Sequence, residues 1–414
     1  MSTVTTATAG RSSVEAIVRR DEGRNPELLR RKYRRMGADL FAFFRGTDHL
    51  FASAWAELGP VDPGPRILIC GDLHLENFGA YRAGDGSFVF DINDFDEATV
   101  APGSVDLARC STSILLAAQV WGLSPIQAMR TVLGFLDSYR ATIAEAADGD
   151  HAGRSAQFAE FGPVGDLLGE CALSTQDELL DRLTRVDRSG ARSIRKSEGK
   201  LPALGKARAA TVAESVESYG RGKGPAAAYK VLDVSGRIAG IGSLGVRRYV
   251  ALVAGDGSPG GCRLLDIKEA APSAIQESIC AGGPRPGERA DDARRVVDAQ
   301  RRLQARPAAG LDAIALDGRE YRLRELIPDE NRARLDRFRR KPSKLRRAVE
   351  VAGKITAWSQ LRGARLDEVD RAGDLIRWAA SPALDAVLAS AIRFADRSRG
   401  DYKAFVKARL DQEA

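Results

Sequence analysis

"CGDLHLENFG" occupies residues 70–79, and "FVFDINDFDEA" follows at residues 88–98. Together they hold four aspartates, two glutamates, two asparagines and one of the chain's three histidines. Two apolar runs of strand length lead into these motifs, "RILIC" (66–70) and "SFVFD" (87–91). The polar groups are therefore expected at the ends of two adjacent strands, where a rigid scaffold presents loop side chains to a ligand. Asp72 is suited there to orient or deprotonate a hydroxyl, with His74 beside it as a second proton-handling group. Asn77 offers a neutral oxygen to a hard cation such as Mg²⁺. Asp91, Asp94 and Asp96 crowd behind the second run, and carboxylates buried unpaired are costly, so a divalent cation is their natural partner. A solvated, Asx-rich turn capping the next helix is the competing explanation. Two such motifs in succession disfavour it.

The G-D-x-H signature also occurs in two-metal phosphoesterases, whose centres recruit several histidines alongside aspartates. His49, His74 and His151 are the whole inventory, and none stands in a G-N-H or G-H-x-H setting. A dinuclear hydrolase fails on that count.

Length and composition bound the rest. A chain of 414 residues accommodates two or three domains, or one bilobal unit with a large core. With 44% hydrophobic and 29% charged residues the composition is globular. No apolar run reaches the ~20 residues that span a bilayer, and no signal-peptide pattern is visible, so the expectation is a cytoplasmic protein without a membrane partner. Cys70, Cys110, Cys171, Cys262 and Cys280 are scattered with no C-x-x-C pair, which argues against a zinc ribbon or disulfide framework. The net charge is +7, and the basic residues concentrate at residues 19–35 and 331–347. Neither segment interleaves aromatics with its basic residues as a base-stacking platform would, so solvated helix faces are favoured over a nucleic-acid partner.

The texture of the chain changes along its length. Residues 1–13 read as a disordered tail. Residues 14–220 read as a large, mostly helical part that carries both acidic loops. Residues 221–330 are rich in glycine and β-branched residues and form a small β-rich unit. Residues 331–414 return to helix. Within the β-rich unit, "GIGSLG" sets Gly240, Gly242 and Gly245 in a G-x-G-x-x-G array. A dinucleotide fold needs a helix after such an array, but "VRRYVALVAG" is strand-like. A glycine turn between antiparallel strands, with a lysine on the next strand, is the kinase pattern. "RLLDIKEA" supplies Lys268 on a run of that character. A lysine in this role needs an acidic partner from a helix; Asp298 in "RRVVDAQRRLQ" is the first candidate and Glu277 in "AIQESI" the second.

"GDLHLENFG" and "FDINDFDEA…PGSVDLAR" resemble the catalytic and metal loops of the protein-kinase-like superfamily, especially its aminoglycoside- and choline-kinase-like branch. In combination, "FFRGTDHLF", "GDLHLENFG", "NDFDE", "DIKEA" and "VVDAQRRLQ" resemble the bacterial domain of unknown function 2252 family from about residue 30 to 408. The glycine array and its lysine follow the catalytic loop here, whereas a kinase has them first. The resemblance therefore implies an α+β, protein-kinase-like bilobal fold, circularly permuted, with the large-lobe catalytic segment first and the β-rich small lobe later. A helix expected to carry a histidine reads "ITAWSQLRGA" (355–364) instead.

The resemblance further implies ATP and Mg²⁺ as ligands and transfer of the γ-phosphate to a hydroxyl of an acceptor, small molecules favoured over proteins. Asp72 becomes the base, and Asn77 with Asp91 the metal ligands. Asp94 takes that place if "NDFDEA" is registered differently. Gly240, Gly242 and Gly245 would cover the phosphates, and Lys268 would pair with them. "RELIP" (324–328), with Glu325 and Ile327, looks like the hinge for adenine. Arg45 and Asp96 are candidate phosphate or substrate contacts. Transfer of AMP to a protein on the same fold, or a non-catalytic nucleotide-binding module, are the alternatives.

Overall fold

The computed structural model describes residues 13–146, 162–166, 176–256, 261–280, 291–327, 335–366 and 369–413. Residues 1–12 of the expected tail, His151, Cys171, Pro328 of "RELIP" and most of the glycine-rich loop at 279–292 lie outside the described residues. No single described helix is long and apolar enough to cross a membrane.

Five helices open the chain: α1 (residues 13–20), α2 (Pro26–Ala38), α3 (Leu40–Arg45), α4 (Asp48–Ser53) and α5 (Trp55–Leu58). Asn25 starts α2 by accepting the Leu28 amide, with Pro26 in the first turn, where a missing N–H costs nothing. Four short strands follow: β1 (Arg66–Ile69), β2 (Phe78–Arg82), β3 (Phe88–Ile92) and β4 (Thr99–Pro102). Then come α6 (Ser104–Val120) and α7 (Pro125–Glu145), the latter begun by a reciprocal Ser124–Gln127 capping box.

The middle of the chain contains α8 (Gln176–Leu183), the hairpin β5 (Thr184–Val186) and β6 (Arg192–Ile194), and α9 (Lys206–Arg221). Next are β7 (Val231–Gly236), β8 (Arg248–Val253), β9 (Arg263–Glu269), α10 (Ala274–Ile279), α11 (Asp292–Leu303), β10 (Asp312–Leu316) and β11 (Arg319–Glu325). The chain ends with α12 (Pro342–Gly363), a two-residue hairpin of β12 (Arg365–Leu366) and β13 (Val369–Asp370), α13 (Ala372–Ala380) and α14 (Ala383–Glu413).

The fold is α+β. A five-stranded antiparallel sheet has the order β10-β11-β9-β8-β7. Alternation puts Tyr249, Ala251, Leu265, Ile267, Tyr321 and Leu323 on one face, where they bury Val212 and Val216 of α9. The larger core is made by segments from both ends of the chain, among them Phe44, Ile69, Leu107, Phe135, Val349 and Phe394. Helix α11 bridges the two parts: it follows the sheet's third strand in sequence, yet Val296, Ala299 and Leu303 belong to the large core. Helix α12 crosses β1 so closely that a Cβ at Gly363 would stand 2.1 Å from the Leu68 carbonyl oxygen.

Three local expectations change. The runs at 66–70 and 87–91 are not paired with each other, because β1 pairs with β4 and β3 pairs with β2. Strands β2 and β4 are short, with a glycine in one and a terminal proline in the other, and neither gives a clear apolar alternation. The charged stretch before residue 220 contains the β5–β6 hairpin. Helices α8 and α9 pack on the sheet, so the texture change near residue 221 falls inside the sheet's own packing unit. The "DG" turn at 317–318 joins β10 and β11, with φ of 50° at Asp317 and 67° at Gly318.

Ile267 is fully buried between the sheet and α9. Ile267→Ala is expected to cost about 2–5 kcal/mol of unfolding free energy, measurable by urea denaturation.

Candidate active site

Helix α6 anchors the first acidic loop with two side chains on one face, three residues apart. The Asp106 carboxylate accepts the amides of Cys70 (3.0 Å) and Gly71 (2.8 Å). Gly71 has φ of +87°, and a Cβ there would lie 2.2 Å from the Glu97 carbonyl oxygen. Only glycine permits that approach, which brings the two acidic loops together. Arg109 is fully buried. Its Nε donates to Asp72 Oδ1 (2.7 Å) and its Nη2 to the Phe44 carbonyl (3.0 Å), while the guanidinium stacks 3.9 Å from the Phe44 ring centre.

Asp72 Oδ2 lies 3.9 Å from His74 Nε2. The Glu76 amide donates to His74 Nδ1 (3.1 Å), so the neutral ring carries its proton on Nε2, toward Asp72. Asp72 lines a cleft, its side chain 23% exposed between Arg109 and His74. Burial pushes it up to about 7 against the opposing pull of Arg109. Burial likewise raises Asp106 to about 7. Glu97 is raised by burial and by the Asp48 charge. His49 is held down to about 4 by burial.

The same cleft collects residues far apart in sequence. Asp72, His74, Asn77, Asp94 and Asp96 line it from the acidic loops. Gly240, Gly242 and Lys268 line it from the β7–β8 loop and β9. Lys268 Nζ bonds Asp96 and stands 3.9 Å from Asp94. The glycine loop is held to the N-terminal helices by Arg24, whose Nη1 donates to the carbonyls of Gly242 (2.9 Å) and Leu244 (3.2 Å). Gly245, at φ of +91°, packs on the Arg24 stem behind the cleft. Ile327 lines the cleft, as does Arg45, whose Nη1 lies 2.8 Å from Glu76 Oε2.

Other expected residues fall elsewhere. Asp91 is buried away from the cleft: it accepts the Ala305 amide (3.1 Å) and lies 3.7 Å from Arg362 of α12. Asp91 is still in the ladder, opposite Gly79, so alternation fixes its direction. Asp94 follows the strand, past the end of the ladder, and lines the cleft. Neither acidic candidate reaches Lys268. Asp298 lies 3.8 Å from Arg301 on the exposed face of α11, and Glu277 pairs with Arg20 at 2.9 Å. The partner of Lys268 comes instead from the acidic loop. Helix α11 contributes Arg295, which donates to the carbonyls of Asp96 and Ala98, both at 2.8 Å. Glu325 lies 3.6 Å from Arg263, outside the cleft lining.

Sequence reasoning missed Arg109, Asn93 and a set of arginines on the sheet. Asn93 Oδ1 is buried in the cleft wall with no hydrogen-bond partner among the described residues. No group of three or more His, Cys, Asp or Glu converges into a metal cage among the described residues. Mg²⁺ needs none, since it takes one or two carboxylates and completes its shell with waters and substrate phosphates. The half-exposed Asp94, Asn77 and the orphaned Asn93 oxygen all line the cleft and fit that donor set.

This is an α+β protein with a charged cleft between its sheet and its helical part. The chain belongs to the family described as "Uncharacterized protein conserved in bacteria (DUF2252)", which it matches over residues 24–408. No curated protein and no solved structure matches it.

Asp106→Asn leaves one oxygen for two amides and turns an NH₂ group toward the other. A loss of about 1–3 kcal/mol is expected in thermal or urea unfolding. Asp72 and Asp106 keep protons in the folded chain at pH values where unfolded carboxyls have lost them. Their contribution to stability is full below about pH 4 and is lost as pH rises through about 7. His49 opposes them only below its ordinary value of 6.5. Calorimetry is therefore expected to give a lower Tm at pH 8 than at pH 6.5.

Proposed function

We propose that the protein is an ATP- and Mg²⁺-dependent phosphotransferase that moves the γ-phosphate to a hydroxyl of a small-molecule acceptor. One observation carries the reading: Asp72, Asn77, Asp94, Lys268 and the Gly240–Gly242 loop converge on a single cleft although they lie far apart in sequence. The sheet's connectivity supports it. Its first three strands are consecutive neighbours with a glycine loop between the first two, Lys268 lies on the third, and two helices, α10 and α11, intervene before the fourth. In this reading the fold is kinase-like and circularly permuted, with the catalytic loop preceding the sheet.

The chain's own groups perform the positioning and the proton work. Arg109 holds Asp72 Oδ1, leaving Oδ2 to take the proton of the acceptor hydroxyl. The acceptor oxygen bonds to the γ-phosphorus as the bond to the β,γ-bridging oxygen breaks, and ADP leaves. Lys268 and the glycine-loop amides offset charge on the transferring phosphates. Asp94 and Asn77 would hold Mg²⁺, which neutralises phosphate charge when bound. Asp96 releases Lys268 to the phosphates, an exchange of one anion for another.

The test is a metabolite pool incubated with the protein, Mg²⁺ and ATP, read by mass spectrometry. One component is expected to gain the mass of a phosphoryl group, and Asp72→Asn is expected to slow that gain about 10²–10⁴-fold. Gain of AMP on a protein, traced with α-labelled ATP, contradicts phosphoryl transfer, and no gain in any pool contradicts catalysis. With the acceptor in hand, kcat/KM is expected to rise with pH through about 7, as Asp72 loses its proton. Arg109→Met removes the charge that lowers Asp72, so that limb moves to higher pH.

A further inference from the structure

The sheet face that roofs the cleft is charged. Cross-strand register sets Arg248 of β8 and Arg322 of β11 directly opposite Lys268 of β9, on either side. Three cations therefore stand abreast. Neighbouring strands lie about 4.8 Å apart, so the row spans roughly 10 Å. Like charges directly opposite one another in a sheet are destabilising. Two residue pairs further along, on the same face, Asp266 stands opposite Arg324.

Lys268 has Asp96, whereas among the described residues one buried carboxylate, Asp266, serves the arginines. It takes two bonds from Arg248 (2.7 and 2.6 Å) and one from Arg322 (3.1 Å), with Arg237 at 3.2 Å and Arg324 Nε at 4.0 Å. Arg324 also donates to the Asn93 carbonyl (3.1 Å). Arg322 is 4% exposed and Arg324 7%, and the Nε of each is buried with no hydrogen-bond partner among the described residues. Burial and the neighbouring guanidiniums hold Arg324 well below its usual range. Arg248, Arg322 and Arg324 share that one buried carboxylate among the described residues, and buried charge short of counter-ions is expensive. Ligand sites that hold a flat ring are mostly apolar. This face suits phosphate oxygens, which guanidinium forks recognise through paired bonds.

We infer that the Arg248–Lys268–Arg322 row, with Arg324 and Arg237, is a polyphosphate subsite: an extended phosphate anion, not the base of a nucleoside, lies against the sheet. The inference deepens the phosphotransfer reading, on which it rests for the role of the cleft. Two sources share the chemistry, an inorganic phosphate chain and a nucleotide whose phosphates reach past Lys268.

The test is the thermal shift and calorimetric affinity of the full chain with Mg²⁺-tripolyphosphate, MgATP and adenosine. Wild type is expected to be stabilised by tripolyphosphate, with affinity falling at least tenfold in Arg324→Met and in Arg322→Gln. The ligand-free Tm of Arg322→Gln is expected to equal or exceed that of wild type, because one charge of a crowded set has gone while Asp266 keeps Arg248. No tripolyphosphate shift in wild type overturns the subsite. So does a shift unchanged in both variants, and so does a lower ligand-free Tm with unchanged affinity, which marks a structural role. MgATP binding tighter than tripolyphosphate identifies the nucleotide source; equal affinity with no adenosine binding identifies the inorganic chain. Phosphoryl transfer without any arginine-dependent binding sinks the subsite alone. Arginine-dependent binding without transfer to any acceptor sinks the phosphotransfer reading alone.

Discussion

Everything at the cleft depends on one helical face. Asp106 and Arg109, three residues apart on α6, hold the backbone of Cys70 and Gly71 and the carboxylate of Asp72. The helix is buried along most of its length, so the loop inherits the rigidity of the core. Arg109 spends its charge on two partners and an aromatic face, which fixes Asp72 Oδ1 and leaves the carboxyl's other edge to the cleft. A loop carrying several carboxylates would otherwise spread apart by mutual repulsion.

Beside the apolar packing of α11, cations tie the sheet to that platform. Arg24 holds the glycine loop, Arg295 holds the backbone of Asp96 and Ala98, and Arg324 holds the carbonyl of Asn93. Each is a guanidinium from one part of the molecule bonded to backbone oxygens of another. Lys268 completes the seam through Asp96. An anion entering between Lys268 and Asp96 would compete directly for this contact, so ligand binding and the meeting of the two parts are coupled by the same charges.

The sequence was most legible where chemistry and local pattern coincide. The two acidic motifs, the glycine array and Lys268 were each readable, and Asp72, Asp94, Gly240, Gly242 and Lys268 line one cleft, while Asp91 and Gly245 do not. The choice between Asp91 and Asp94 was not readable, because it turns on where β3 ends, and a shift of one residue reverses which way a side chain points. The Asp298 expectation carried a visible warning. Val296, Val297, Gln300 and Leu303 define the buried face of α11, and Asp298 lies on the other side. The arginine row was hidden for a different reason. "LLDIKE" and "EYRLRE" each show ordinary alternation, and only the register between β8, β9 and β11 reveals that their charges converge. Pairing between strands so distant in sequence is a tertiary fact that no local window contains.

A crystal structure of the chain with Mg²⁺ and a non-hydrolysable ATP analogue tests the central claim most directly. The account predicts phosphates between Lys268 and Asp94, beneath the loop that carries Gly240 and Gly242, with the γ-phosphate facing Asp72. Phosphates bound elsewhere, or a cleft that stays empty at saturating ligand, would contradict it.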